Sequence, residues 1–130
     1  VMYNRIWKAA RPLPGEIVRM EETNGVDSFV QAGQTIPSLR FQTFCGGKGL
    51  NQSIAARAGA HVLHGGAVGP DGQTLENCLR ESGVDVSALG HLDTATGHAV
   101  IQVDPSGQNC IIVTGGANVE LPRGYRSPAK

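Results

Sequence analysis

Gly46-Gly47-Lys48-Gly49-Leu50-Asn51-Gln52 packs three glycines, one ammonium and two carboxamides into seven residues. Glycines let a backbone pass close to a ligand and adopt positive φ without strain. Lys48 brings up to three donors, and Asn51 both donates and accepts. Such a set suits a ligand dense in hydroxyls, since an amide accepts from one hydroxyl and donates to the next. Each bond nets only ~0.5–1.5 kcal/mol, so several must converge. The plain alternative is a tight strand-to-helix turn with a solvated lysine, and the glycines alone leave both open. A phosphate cradle fits worse. The P-loop needs an earlier glycine and a Ser or Thr after its lysine. Residues 40–45 contain no glycine, and Gly49 follows Lys48. The dinucleotide fingerprint fails at Gln52, where its third glycine belongs.

The flanking elements must place this loop. Leu39-Arg40-Phe41-Gln42-Thr43-Phe44 alternates roughly as a half-buried strand does. Leu50 to Ala58 is a helix-prone run, with Gly59 expected as its left-handed stop. His61 to His64 is a short strand candidate, and Pro70-Asp71-Gly72 a turn with Asp71 placed to cap the next helix. That helix, Gln73 to Ser82, sets Leu75, Cys78 and Leu79 on one stripe, and Gly83 ends it. Val84-Asp85-Val86 is extended. A hairpin joins residues 97–103 to 109–114 through Asp104-Pro105-Ser106-Gly107. Gly115 to Asn118 forms a tight bend. Upstream, Glu21-Glu22-Thr23-Asn24-Gly25 reads as a polar turn and Val26 to Val30 as a short strand. Pro12 to Glu16 has turn chemistry, Trp7 could anchor the N-terminal stretch, and the tail 122–130 is expected to fray. The element order argues for an α/β fold with a small β appendage.

Composition excludes several classes. The 130 residues carry eleven Lys+Arg against eleven Asp+Glu, which leaves no basic field for nucleic acid. No run approaches the ~18 apolar residues of a membrane span, and the first residues lack a signal-peptide pattern. Three cysteines, Cys45, Cys78 and Cys110, have no CxxC spacing; they read as reduced thiols in a cytoplasmic protein. His61, His64 and His91 lack metal-ligand spacing and read as surface or boundary residues. No metal site is expected.

Gly46 to Gln52, the helix ending Arg57-Ala58-Gly59-Ala60, and Val68-Gly69-Pro70-Asp71-Gly72 together resemble the N-terminal half of a ribokinase-like (PfkB family) sugar kinase. Glu81 to Asp85, Thr96 to Val100 and Gly107 to Asn118 continue the pattern in order, over roughly residues 33–118. The resemblance implies part of a Rossmann-like sheet with helices, plus a small β-sheet lid near residues 35–44 and 97–114. It also implies sugar contacts from Gly47, Lys48 and Asn51, with Gly46 and Gly49 permitting the approach. His98, Val100 and Ile101 lie where a lid presents side chains to sugar or partner; strand packing is the simpler role for Val100 and Ile101. A complete enzyme of this kind transfers phosphate from ATP with Mg²⁺ to a small sugar, and often dimerises through the lid.

The pattern also breaks. The family's Gly-Ala-Gly-Asp base motif and Asn-x-x-Glu motif do not occur in these residues. This chain alone is therefore expected to have no catalytic residue and no cofactor, and to be inactive. The alternative is a non-catalytic sugar-binding or oligomerisation module. The sugar-holding Asn-x-Asp is also missing: Asn4-Arg5-Ile6 lacks the aspartate, and Asn24 and Asp27 are spaced wrongly. Residues 1–32 stay unassigned, and 119–130 read as a tail. The helix before Arg57 is one residue shorter than the family pattern, a ~100° change of phase.

Overall fold

The segment Arg-Met-Glu-Glu-Thr-Asn-Gly has little apolar alternation, yet it forms β1 (Arg19–Gly25), an inner strand of a four-stranded sheet. The computed structural model describes residues 17–120, so Trp7, the Pro12–Glu16 turn and the 122–130 tail lie outside the described residues. β1 pairs antiparallel with β2 (Arg40–Gly46) and parallel with β5 (His98–Val103). β5 in turn pairs antiparallel with β6 (Asn109–Thr114), giving the order β2-β1-β5-β6. Ladder bonds on both sides outweigh the turn tendency of Asn-Gly, which corrects the polar-turn reading. Val26 to Val30 is a connection rather than a strand, with Val26 buried at its start. The lid strand expected near 35–44 begins only at Arg40.

The remaining elements make a second layer. α1 (Lys48–Arg57) follows β2 directly. β3 (Gly66–Val68), α2 (Gln73–Glu81) and β4 (Leu89–His91) form a parallel βαβ unit. The strand expected at 61–64 is only an isolated bridge, Leu63 to Asp85; the ladder starts at Gly66. Leu75 and Leu79 of α2 are fully buried with Leu50, Val68 and Val18 in one core. Gly83, at φ 82°, ends α2 as expected. Gly59 does not take the left-handed form. Short bonds from Ala58 N–H to Ala55 and from Gly59 N–H to Ala56 close α1 instead. Asp71 is not the cap of α2. Its Oδ1 accepts the Thr96 N–H at 2.8 Å, and Thr96 holds the carboxyl below the usual range. Within α1, Leu50 and Ser53 are buried, and Arg57 Nε reaches the Gly83 carbonyl at 2.8 Å.

The hairpin forms as expected. Gly107 sits at φ 84°, and Asp104 Oδ1 accepts from the Ser106 and Gln108 N–H groups. Beyond β6, a 3₁₀ turn (Gly116–Glu120) carries buried Asn118. Its carboxamide donates to the Val18 carbonyl at 2.8 Å and accepts the Val18 N–H at 3.3 Å.

His64 corrects the surface reading, being 2% exposed. Its Nδ1 lies 2.8 Å from Ser53 Oγ, while its buried Nε2 has no hydrogen-bond partner among the described residues. Burial lowers its pKa from 6.5 to about 4. Between those values the unfolded chain binds a proton that the native fold refuses, so stability is full above pH 6.5 and falls as pH drops. Urea unfolding is expected to lose about 3 kcal/mol between pH 7 and pH 4 from this group. His64→Gln, which has no proton to take up, loses that part of the slope.

Candidate functional site

The glycine motif occupies the junction of β2 and α1. Gly47 takes φ 99°, a conformation that β-carbon-bearing residues avoid, and turns the chain into the helix. Asn51 N–H then bonds to the Gly47 carbonyl at 3.0 Å, and Leu50 N–H to the Ile17 carbonyl at 2.8 Å. Among the described residues no side chain caps α1.

Two of the glycines answer to protein neighbours. A β-carbon at Gly49 would strike the Ile17 backbone, and one at Gly46 would overlap the Glu21 carboxylate. Gly46, Gly47 and Gly49 are buried, whereas Lys48 and Asn51 are exposed. Three residues apart on one helix, Lys48 and Asn51 share a face. The sequence-expected ammonium and carboxamide are thus brought together on the outer side of the loop.

Glu21 is the residue that sequence reasoning missed. It projects from β1 over Gly46 and pairs with Arg19, Nε to Oε1, at 3.1 Å. Both side chains are largely covered, at 15% and 22% exposure. The available signal was Arg19-x-Glu21, two like-facing polar residues on a strand. The carboxylate stands beside the amino end of α1, where negative charge is favoured.

The lid residues divide between two faces. Register places Glu21 beside Ala99 and Phe44, and Thr23 beside Ile101. Ala99 and Ile101, both buried, therefore share the Glu21 face. His98 and Val100 fall on the opposite face, with Met20 and Glu22. His98 Nδ1 is 2.7 Å from the Thr96 carbonyl. Among the expected lid residues only Ile101 joins the loop side, and Ala99 was overlooked. A separate cleft of about 360 Å³ lies where β3 and β4 meet the start of α2, edged by Pro70, Glu76, His91 and Asp93. Glu76 is engaged there by Arg80 at 3.2 Å and His91 at 3.3 Å. Among the described residues no three His, Cys, Asp or Glu side chains converge as a metal site would require.

A four-stranded mixed sheet, a small parallel βαβ unit and a glycine turn opening a helix define the class. Residues 16–123 match the pfkB family of carbohydrate kinases, and the chain belongs to that family. It is 35% identical to the ribokinase of Haemophilus influenzae over 111 residues, covering 80% of this chain and 35% of that protein. It is 38% identical to the Bacillus subtilis ribokinase over 105 residues, covering 76% and 35%. Among solved structures, ribokinase from Cryptococcus neoformans var. grubii in complex with ADP superposes with a TM-score of 0.76 at 39% identity, covering 86% of this chain and 37% of that one. Arabidopsis thaliana ribokinase complexed with ribose and ATP gives 0.69 at 30% identity, covering 78% and 34%. The chain spans about a third of the length of these relatives. The match begins at residue 16, and β1 likewise lies upstream of residue 33.

The two covered glycines separate fold from site. Gly49→Ala meets backbone and is expected to cost about 1–3 kcal/mol of folding free energy. Gly46→Ala meets the Glu21 side chain, which can swing aside as backbone cannot, and is expected to cost less. Paired urea unfolding curves read both, and equal losses would contradict this assignment.

Proposed function

We propose that this chain is the sugar-recognition part of an ATP-dependent sugar kinase of the ribokinase type. The observation that carries the reading is the Glu21 carboxylate standing over Gly46, at the loop from which Lys48 and Asn51 rise on one helix face. A carboxylate accepts from two hydroxyls, a carboxamide both accepts and donates, and an ammonium donates. Ala99 and Ile101, in the strand next to Glu21, supply an apolar wall on the same side. Together they suit a furanose, which carries hydroxyls along its edge and an apolar ring face.

The Arg19 pairing departs from a free sugar-binding carboxylate, since a hydroxyl must share or displace that guanidinium. Binding by this chain is accordingly weak. Phosphoryl transfer needs a base at the attacking hydroxyl and a positioned donor, and those come from residues other than the ones present here. ATP and Mg²⁺ thus belong to the complete enzyme, acting in a reducing cytoplasm.

Titration with D-ribose, followed by amide NMR, tests the site. The Gly46 to Asn51 signals are expected to shift at millimolar sugar, and Asn51→Ala and Glu21→Gln each weaken the response by about tenfold or more. Shifts confined to other regions would refute the assignment. Sugar-dependent ADP release by this chain alone would refute the division of labour.

A second reading accounts for the lid's surface. The sheet exposes apolar side chains on both sides: Val100, Ile112 and Phe41 on one, Phe44, Ile111 and Val113 on the other. One face lies toward the sugar loop, and the other is suited to a second copy of the chain. Sedimentation is expected to detect a concentration-dependent dimer that Ile112→Lys dissociates. A monomer at all concentrations would exclude it.

A further inference from the structure

Cys45 is the second-last residue of β2, just before the glycine motif, and Cys78 lies within α2. The Cys45 Sγ is 3.7 Å from the Thr74 carbonyl oxygen, one helical turn before Cys78. Helical side chains lean toward the amino terminus, so Cys78 stands over that same turn. The Cys78 thiol therefore lies on the same turn of α2 that the Cys45 thiol touches. Cys45 is on the sheet face opposite Glu21, packed with Met20 against the core. Cys110 is exposed on β6, four residues along from Thr114, whose row Cys45 shares.

We propose that Cys45 and Cys78 are a reversible thiol pair that closes into an intramolecular disulfide and clamps the end of β2 to α2. The oxidant is a low-molecular-weight disulfide such as glutathione disulfide. One cysteine thiolate attacks a sulfur of the oxidant, breaking its S–S bond and releasing one glutathione thiol. The second cysteine thiolate then attacks the protein sulfur of the mixed disulfide, forming the Cys45–Cys78 bond and releasing the other. Two electrons and two protons pass from the cysteines to the glutathione pair. Burial first, then the Cys78 and Glu81 neighbours, push the Cys45 thiol up to about 11. A raised thiol pKa leaves less Cys45 thiolate to attack, so the exchange quickens as pH rises. Gly46 follows Cys45 directly, so the clamp holds the amino end of the glycine loop. The pairing stands independently of the sugar reading, because its test counts thiols.

The native full chain is incubated with glutathione disulfide at mildly alkaline pH, alkylated and digested with trypsin. Reactive thiols are expected to fall from three to one, with a mass loss of two hydrogens and recovery on reduction. The peptides 41–48 and 58–80 then appear joined. Cys110→Ser leaves that link intact and lowers the remaining thiol count to zero. Hydrogen exchange of the 46–51 amides slows in the linked form. Glutathione retained on either cysteine without the link, a link through Cys110, or three persistent thiols would overturn the pairing. Unchanged exchange in the linked chain would overturn the clamp.

Discussion

The Ile17–Val18 stretch is the hinge pin of this architecture. Ile17 gives its carbonyl to the Leu50 N–H, in the first turn of α1. Val18 gives both its N–H and its carbonyl to Asn118. One short piece of buried backbone therefore ties the start of β1 to the glycine loop on one side and to the 3₁₀ turn after β6 on the other. Buried peptide groups tolerate no loss of partners, so the three regions are held in mutual register. Everything asked of the loop depends on that: Gly49 must be small because Ile17 passes against it.

From this pin the β1 strand runs outward and divides the molecule's tasks by pleat alternation. One side carries Glu21 with Ala99 and Ile101, the other Met20 with His98 and Cys45. The first side pairs a carboxylate with apolar cover beside a helix start, a combination that favours a ligand both hydroxylated and partly apolar. The second side begins in the core and continues into an exposed apolar surface. Further in, α1 and α2 shelter polar groups that carry their own costs. Ser53 satisfies half of the buried His64 ring, and no described residue partners the other nitrogen, making acid a direct lever on stability.

Legibility followed the range of the deciding contacts. The 104–107 turn was readable because Pro105 and Gly107 act within four residues, and Asp104 serves its own loop. The α2 stripe was readable because Leu75 and Leu79 lie one turn apart. The end of α1 was misjudged, since two tightened bonds near Ala58 served where a left-handed glycine was expected. Asp71 was misassigned because its partner, Thr96, is remote in sequence and adjacent only after folding.

By itself, the order of residues determined that a glycine turn joins a strand to a helix, and which motifs tie the chain to the carbohydrate kinases. These properties depend on backbone freedom and helical period, which are local. Tertiary structure decided that a polar segment would be an inner strand, that Glu21 would face the loop, that Ile101 and not His98 would share its side, and that Cys45 would reach the first turn of α2. Each of those outcomes follows from strand register and burial, and both are set by groups that only the folded chain brings within a few ångströms.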